Sequence, residues 1–320
     1  MSPSAFFATP RPSVGIEFAT DRVSVVRLGS GGAPSVAGYA QEPLPAGAIV
    51  PALNAANIVN PAPVIEALRR ALDAAGARSG HAALVVPDPA AKVSLLRFES
   101  VPAKHSDFQQ LVRWQVKKSL PFPVEDAQVS AVPGVAVEGG REFIVTAARR
   151  DVVQQYEAAA AAAGVQPGVV DLATFNYINA ALAASAPPDG DWLLVHVAAD
   201  YLTLAVLRGA DLIFVRHRGS DDDTTLADVV HQTAMYYEDR LQGAGFTRAI
   251  LAGAGRSRAI GVPTPPLESI RKELAQRLQT RVDTIDPRSA VTVTDRVDMS
   301  QETLDTLAPA VGLLLRERTA

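Results

Sequence analysis

Cysteine is absent from all 320 residues. That absence excludes disulfides, thiolate nucleophiles and Cys-ligated zinc, and it fits a reducing compartment. Charge or proline interrupts every apolar run well short of the roughly 18 residues that a membrane-spanning helix needs. The first twelve residues, Met1 to Pro12, lack the basic start and long apolar centre of a signal peptide and read as a short disordered lead-in. Basic residues form no stripe: 30 Lys and Arg are mixed along the chain with 34 Asp and Glu, for a net charge of −4, which argues against a nucleic-acid ligand. The five histidines show no ligand spacing, and neither a Gly-x-Ser-x-Gly elbow nor a Walker loop occurs. A soluble protein is expected, with no metal site and no catalytic residue readable from a motif.

What is present is organised in two halves, as the length suggests. Strands around Val14 to Leu28 and Ser35 to Gln41, a helix carrying Val64, Ile65, Leu68 and Leu72 to a stop at Gly76, and the apolar strand Ala82 to Val86 form one sheet-based lobe. From Pro89 the texture changes. Ser106 and Gln109 have the spacing of a capping box for a helix bearing Phe108, Leu111 and Val112, a strand pair turns at Glu138-Gly139-Gly140, and Asp151 with Gln154 suggests a second capping box. This block, 89–165, reads as an inserted α+β subdomain. A strand and a helix over 166–186 return to the first lobe, which also takes in 13–88. Pro187 to Asp191 forms a linker, and 191–320 repeats the opening order as a second lobe.

The repeat is clearest in two hairpins. Val14 to Leu28 and Leu193 to Gly209 each read as strand, tight turn, strand. A duplicated hairpin of this kind is how a two-lobed clamp grips phosphates, with small turn residues exposing backbone N–H groups and a carboxylate orienting magnesium or water. Glu17 holds the acidic place in the first hairpin, against the plainer reading of a surface carboxylate, but Phe18 and Ala19 replace small polar residues. In the second the place belongs to His196, which lacks the anionic oxygens that magnesium prefers, and the turn is Ala198-Ala199-Asp200-Tyr201. Gly253-Ala254-Gly255 after a strand permits close backbone approach to a ribose or adenine edge. Asp221-Asp222-Asp223 reads as a solvated loop. Arg113, Trp114, Lys117 and Phe122 present either a wet helix face or a surface for a peptide.

In this order the segments resemble the PilM family of type IV pilus assembly proteins, related to FtsA in the actin-like ATPase superfamily. Val14-Gly15-Ile16-Glu17 with Val23 to Leu28 is similar to the family's first hairpin, I-G-I-D-I-G-S-x-x-V-K-x-V-x-L. Arg113-Trp114-Gln115 with Leu120-Pro121-Phe122-Pro123-Val124-Glu125-Asp126 resembles its R-W-E-x-x-x-x-I-P-F-P-x-E-E signature, and Leu307 to Arg316 its closing helix. The resemblance implies an α/β, actin-like (ribonuclease H-like) two-lobed fold with an inserted α+β subdomain. It also implies a site for ATP or ADP with Mg2+, using Glu17, Thr203, Gly253 and Gly255. The family's second phosphate hairpin is like V-D-I-G-x-x-x-T; here His196 and Ala198 replace its aspartate and glycine, while Thr203 is kept.

The first reading is a cytoplasmic pseudo-ATPase scaffold that binds the short cytoplasmic tail of a PilN-like inner-membrane protein. Its groove would lie between the first lobe and the inserted subdomain, around Arg113, Trp114, Lys117 and Phe122. One alternative is an active ATPase or sugar-kinase-like enzyme. Another is the cytoplasmic part of a type II secretion protein of the GspL kind, disfavoured because those continue into a membrane helix whereas this sequence stops at Ala320.

Overall fold

In a computed structural model that describes residues 11–78, 80–219, 225–254, 267–293 and 300–319, each half begins with the same local chemistry. Strands β1 (Val14–Phe18) and β2 (Arg22–Leu28) close on a turn in which Ala19 N–H donates to the Arg22 carbonyl at 2.9 Å. β3 (Ser35–Pro43), α1 (Pro61–Ala74) and β4 (His81–Val86) follow. α1 starts where Asn60 caps it by accepting from Ala62 N–H, with proline in its first turn, and its buried Val64, Leu68, Ala71 and Leu72 share one face.

After a short 3-10 turn at Asp88–Ala90 come β5 (Ala91–Phe98), α2 (His105–Lys117), β6 (Ala127–Val137) and β7 (Gly140–Arg149). The strands pair in the order β5-β7-β6 as a separate antiparallel sheet. Strand alternation gives this sheet two faces. Phe143 and Val145 point to α2 and join Phe108, Val112 and Val116 in an apolar cluster, while Ile144 and Thr146 face the first lobe across a groove.

α3 (Arg150–Ala162), β8 (Gln166–Leu172) and α4 (Ala173–Ala184) lead to the second half. There β9 (Asp191–Val197), β10 (Tyr201–Arg208), β11 (Asp211–Gly219), α5 (Leu226–Leu241), β12 (Arg248–Ala252), α6 (Leu267–Leu278) and β13 (Val282–Thr284) are followed by β14 (Thr292–Val293) and α7 (Gln301–Thr319). The hairpin of β9 and β10 closes like the first, with Ala198 N–H donating to the Tyr201 carbonyl at 2.9 Å. The first lobe's sheet runs β14-β3-β2-β1-β4-β8 and the second's β11-β10-β9-β12-β13. In each, the hairpin's first strand lies between its antiparallel partner and a parallel strand.

Packing moves two of the expected boundaries. α3 belongs with the first lobe rather than the inserted subdomain: Val152, Tyr156, Ala159 and Ala160 enter that lobe's core, and Tyr156 O–H donates to Asn57 at 3.0 Å. The last segment also returns to the first lobe. β14 pairs with β3, and Leu307, Ala310, Val311 and Leu314 of α7 cover the sheet beside Val26, Leu28, Ala83 and Val85. The two expected capping boxes do not form. Helix α2 begins two residues earlier than that pattern requires, at His105 with Lys104 at its cap, and the Asp151 carboxylate is taken by Arg149 and the neighbouring Val152 N–H. A reciprocal box forms instead at Thr225 and Asp228, opening α5. The expected lead-in lies outside the described residues apart from Arg11 and Pro12.

Candidate functional site

The register places the two hairpins in equivalent positions. Glu17 on β1 stands opposite Ser24 and beside Val85, and His196 on β9 stands opposite Thr203 and beside Ala252. All four polar side chains are buried. Glu17 is therefore not a surface carboxylate. It meets Arg22 at 3.3 Å, and Arg22 also reaches Asp21 at 2.9 Å. Burial pushes the Glu17 carboxyl above its usual range despite the Arg22 guanidinium. For Arg22 burial works against the charge, and Glu17 and Asp21 outweigh it and hold the guanidinium ionised. Among the described residues, Arg22 Nε and Ser24 Oγ have no hydrogen-bond partner.

Thr203 and His196 turn instead toward Asp88, a residue that the hairpin motif does not contain. Asp88 Oδ2 accepts from Thr203 O–H at 2.7 Å and from Thr174 O–H, while its Oδ1 accepts from Thr174 N–H at 3.0 Å. His196 Nδ1 lies 2.8 Å from Thr174 Oγ1 and 3.3 Å from Asp88 Oδ2. Because the Thr174 proton points at Asp88, the proton between Thr174 and the imidazole sits on Nδ1. Burial raises the Asp88 carboxyl, but the hydrogen bonds and positive field from His196, with those from Thr174, outweigh it and leave it below its usual range. The rings of Tyr177 and Tyr201 close over the imidazole, with centroids at 4.7 and 5.4 Å.

The turns also meet across the lobes, where Thr20 O–H donates to Asp200 at 3.1 Å. Gly253 has a φ of 77°, and a Cβ there would come within 2.3 Å of the Val197 carbonyl, so glycine is needed for close backbone approach. Its N–H donates to Asp305 at 2.8 Å. Gly255 and the Asp221-Asp222-Asp223 run lie outside the described residues. Between the hairpins, the described side chains leave a cavity of only about 20 Å3. No group of three His, Asp or Glu side chains among the described residues is placed to hold a metal ion.

A much larger space lies between the first lobe and the inserted subdomain, extending to the β10–β11 turn. This groove measures about 620 Å3. Phe175, Ile178, Asn179 and Leu182 line it from one face of α4, and Ser130, Ile144 and Thr146 from the subdomain sheet. At one end Arg316 pairs with Asp171 and, at 2.9 Å, with Glu317. Burial pushes the Asp171 carboxyl up, and Arg316 offsets this only in part.

The groove thus lies between the expected bodies, but Arg113, Trp114, Lys117 and Phe122 do not line it. Arg113 donates to the Val124 carbonyl at 2.9 Å and so ties α2 to the loop after it, and Phe122 packs beneath the same helix. Trp114 is 68% exposed, and Lys117 is exposed on the same helix. All four belong to the α2 side of the subdomain sheet, and the groove faces the other side. A tryptophan and basic residues in one signature point to α2, whereas the groove is lined by several stretches far apart in sequence, from Val86 to Glu317, with no common motif.

Among the described residues, no helix is long and apolar enough to cross a membrane. A solved structure described as a PilM-PilN type IV pilus biogenesis complex is similar over 96% of this chain and 99% of that one, at 19% identity and a TM-score of 0.79. A Bacteroides thetaiotaomicron protein of unknown function with an actin-like ATPase fold is similar over 94% of both chains, at 9% identity and a TM-score of 0.50. The family model for the type IV pilus assembly protein PilM matches residues 15–243. With its two hairpin-led lobes and inserted subdomain, the chain has the actin-like ATPase fold and belongs to the PilM family of type IV pilus assembly proteins.

Proposed function

We propose that this PilM-family protein is a non-catalytic scaffold of type IV pilus assembly. It works in the cytoplasm and holds the cytoplasmic tail of a PilN-like inner-membrane protein in the groove between the first lobe and the inserted subdomain. The observation that carries this reading is the contrast between the two spaces. Small-molecule sites typically enclose about 300–1,000 Å3. The groove, at about 620 Å3 with largely apolar walls, falls in that range, whereas the cavity between the hairpins, at about 20 Å3, has room for about one water.

The groups inherited for phosphate and magnesium are engaged within the protein: Glu17 by Arg22, Thr203 by Asp88, and the Gly253 N–H by Asp305. They do not fit a magnesium nucleotide, so the reading includes a lapsed nucleotide site and no step of hydrolysis. A PilN-like partner is supported by the solved neighbour, which is a PilM-PilN complex. Attachment to the membrane would then run through that partner.

Calorimetry with the full chain and a synthetic peptide of the partner's cytoplasmic tail tests the reading. Ser130 is an exposed β6 residue in the groove wall, so Ser130→Trp should fill the groove with little cost to the strand and abolish binding. Trp114→Ala should leave affinity unchanged, because Trp114 lies on the other side of the sheet. No binding to the native chain, or equal binding to Ser130→Trp, would overturn the proposal.

A further inference from the structure

The groove is apolar along most of its length, and its described lining carries three charged side chains, all at one end. Asp171 lies one residue before the end of strand β8, just ahead of α4, and Arg316 and Glu317 lie in the last turns of α7. The helices run antiparallel: the α7 backbone at Gly312 lies against Asn176 and Ala180, and Arg316 lies against Asp171. The charged end is therefore at the start of α4, while Leu182, Leu207 and Leu212 line the opposite end.

The charges do not balance. One guanidinium serves two carboxylates, and among the described lining residues no second cation faces them. The position of Arg316 near a helix C-terminus accounts for the cation but leaves two carboxylates to share one counter-charge. While the groove is open, water solvates that surplus. An occupant that displaces the water must either compensate the charge or leave it buried, and an uncompensated buried charge is costly. The incomplete compensation of Asp171 by Arg316 agrees with this.

Building on the scaffold reading, we infer that the groove selects a peptide segment with a Lys or Arg side chain that sits against Asp171 and Glu317, and with apolar side chains that run from there toward Leu212. Glu317 is the specificity-determining residue, since it supplies the carboxylate in excess of the Asp171–Arg316 pair. Complementarity of this kind discriminates between partners as much as it adds affinity.

The test uses the full chain and the synthetic tail peptide, with each Lys or Arg of the peptide replaced by Gln in turn. Glu317→Gln removes the surplus and leaves Asp171 and Arg316 paired, so the fold should be unaffected, which circular dichroism checks. It should weaken binding roughly tenfold. One Gln-substituted peptide should lose a similar factor on the native chain and nothing further on Glu317→Gln. An unchanged affinity of Glu317→Gln, or fully additive losses for every peptide, overturns the inference. Ser130→Trp separates this from failure of the underlying reading: if it still abolishes binding, the groove stands and only the basic anchor is wrong, and if it does not, the groove itself is wrong.

Discussion

Asp88 gathers in one carboxylate what a two-lobed clamp would ordinarily offer to a ligand. It receives Thr203 and His196 from the second lobe and Thr174 from the helix between the lobes. Asp88→Asn would set an amide N–H or a weaker acceptor against these donors, and hydrogen bonds to a charged group are worth about 1.5–3 kcal/mol. A loss of that order at pH 7 is expected in denaturant unfolding. The sign of its pH dependence follows from the depressed folded-state carboxyl. Stability from Asp88 is present above the unfolded value of about 3.9 and is lost as pH falls through the lower folded value. The gap between native protein and Asp88→Asn should therefore narrow below about pH 4. The hairpin polar positions were legible in the sequence because a local phrase is repeated. Asp88 was not, because it lies in a Pro-Asp-Pro turn and its partners are 86 to 115 residues away.

Helix α7 shows the same contrast for an element. Its core, Leu307 to Arg316, is legible from its resemblance to the family's closing helix, but its faces do not reveal which lobe it joins. It seals the first lobe's sheet and packs along α4 closely enough that a Cβ on Gly312 would lie 2.0 Å from the Asn176 carbonyl. Gly312→Ala therefore tests packing against propensity. The isolated helix would gain about 1 kcal/mol, while overpacking at a rigid helix contact costs about 1–3 kcal/mol and occasionally more. With backbone as the clashing atom we expect net destabilisation and a lower midpoint in thermal unfolding. An increase in midpoint would mean that the α4–α7 contact can open by more than it does here.

For the molecule as a whole, internal contacts join the lobes at the two hairpin turns, including Thr20 to Asp200. A ligand at a hundred times its dissociation constant stabilises the native state by about 2.7 kcal/mol, which raises the melting temperature of a protein of this size by several degrees. Mg-ATP or Mg-ADP at millimolar concentration should produce no such shift. A shift that disappears in Gly253→Ala or Thr203→Ala would restore the enzyme reading.

By itself the sequence determined the repeated strand-turn-strand units, most helix and strand positions, the two-lobed class and the family, because each rests on contacts between near neighbours or on a contiguous signature. Tertiary structure alone decided that α3 and α7 complete the first lobe, that Asp88 takes the polar groups of the second hairpin, and that the large groove lies on the face of the subdomain sheet away from Trp114. Those outcomes depend on side chains far apart in sequence meeting in a dry interior, and no local pattern records which distant group will be there to meet them.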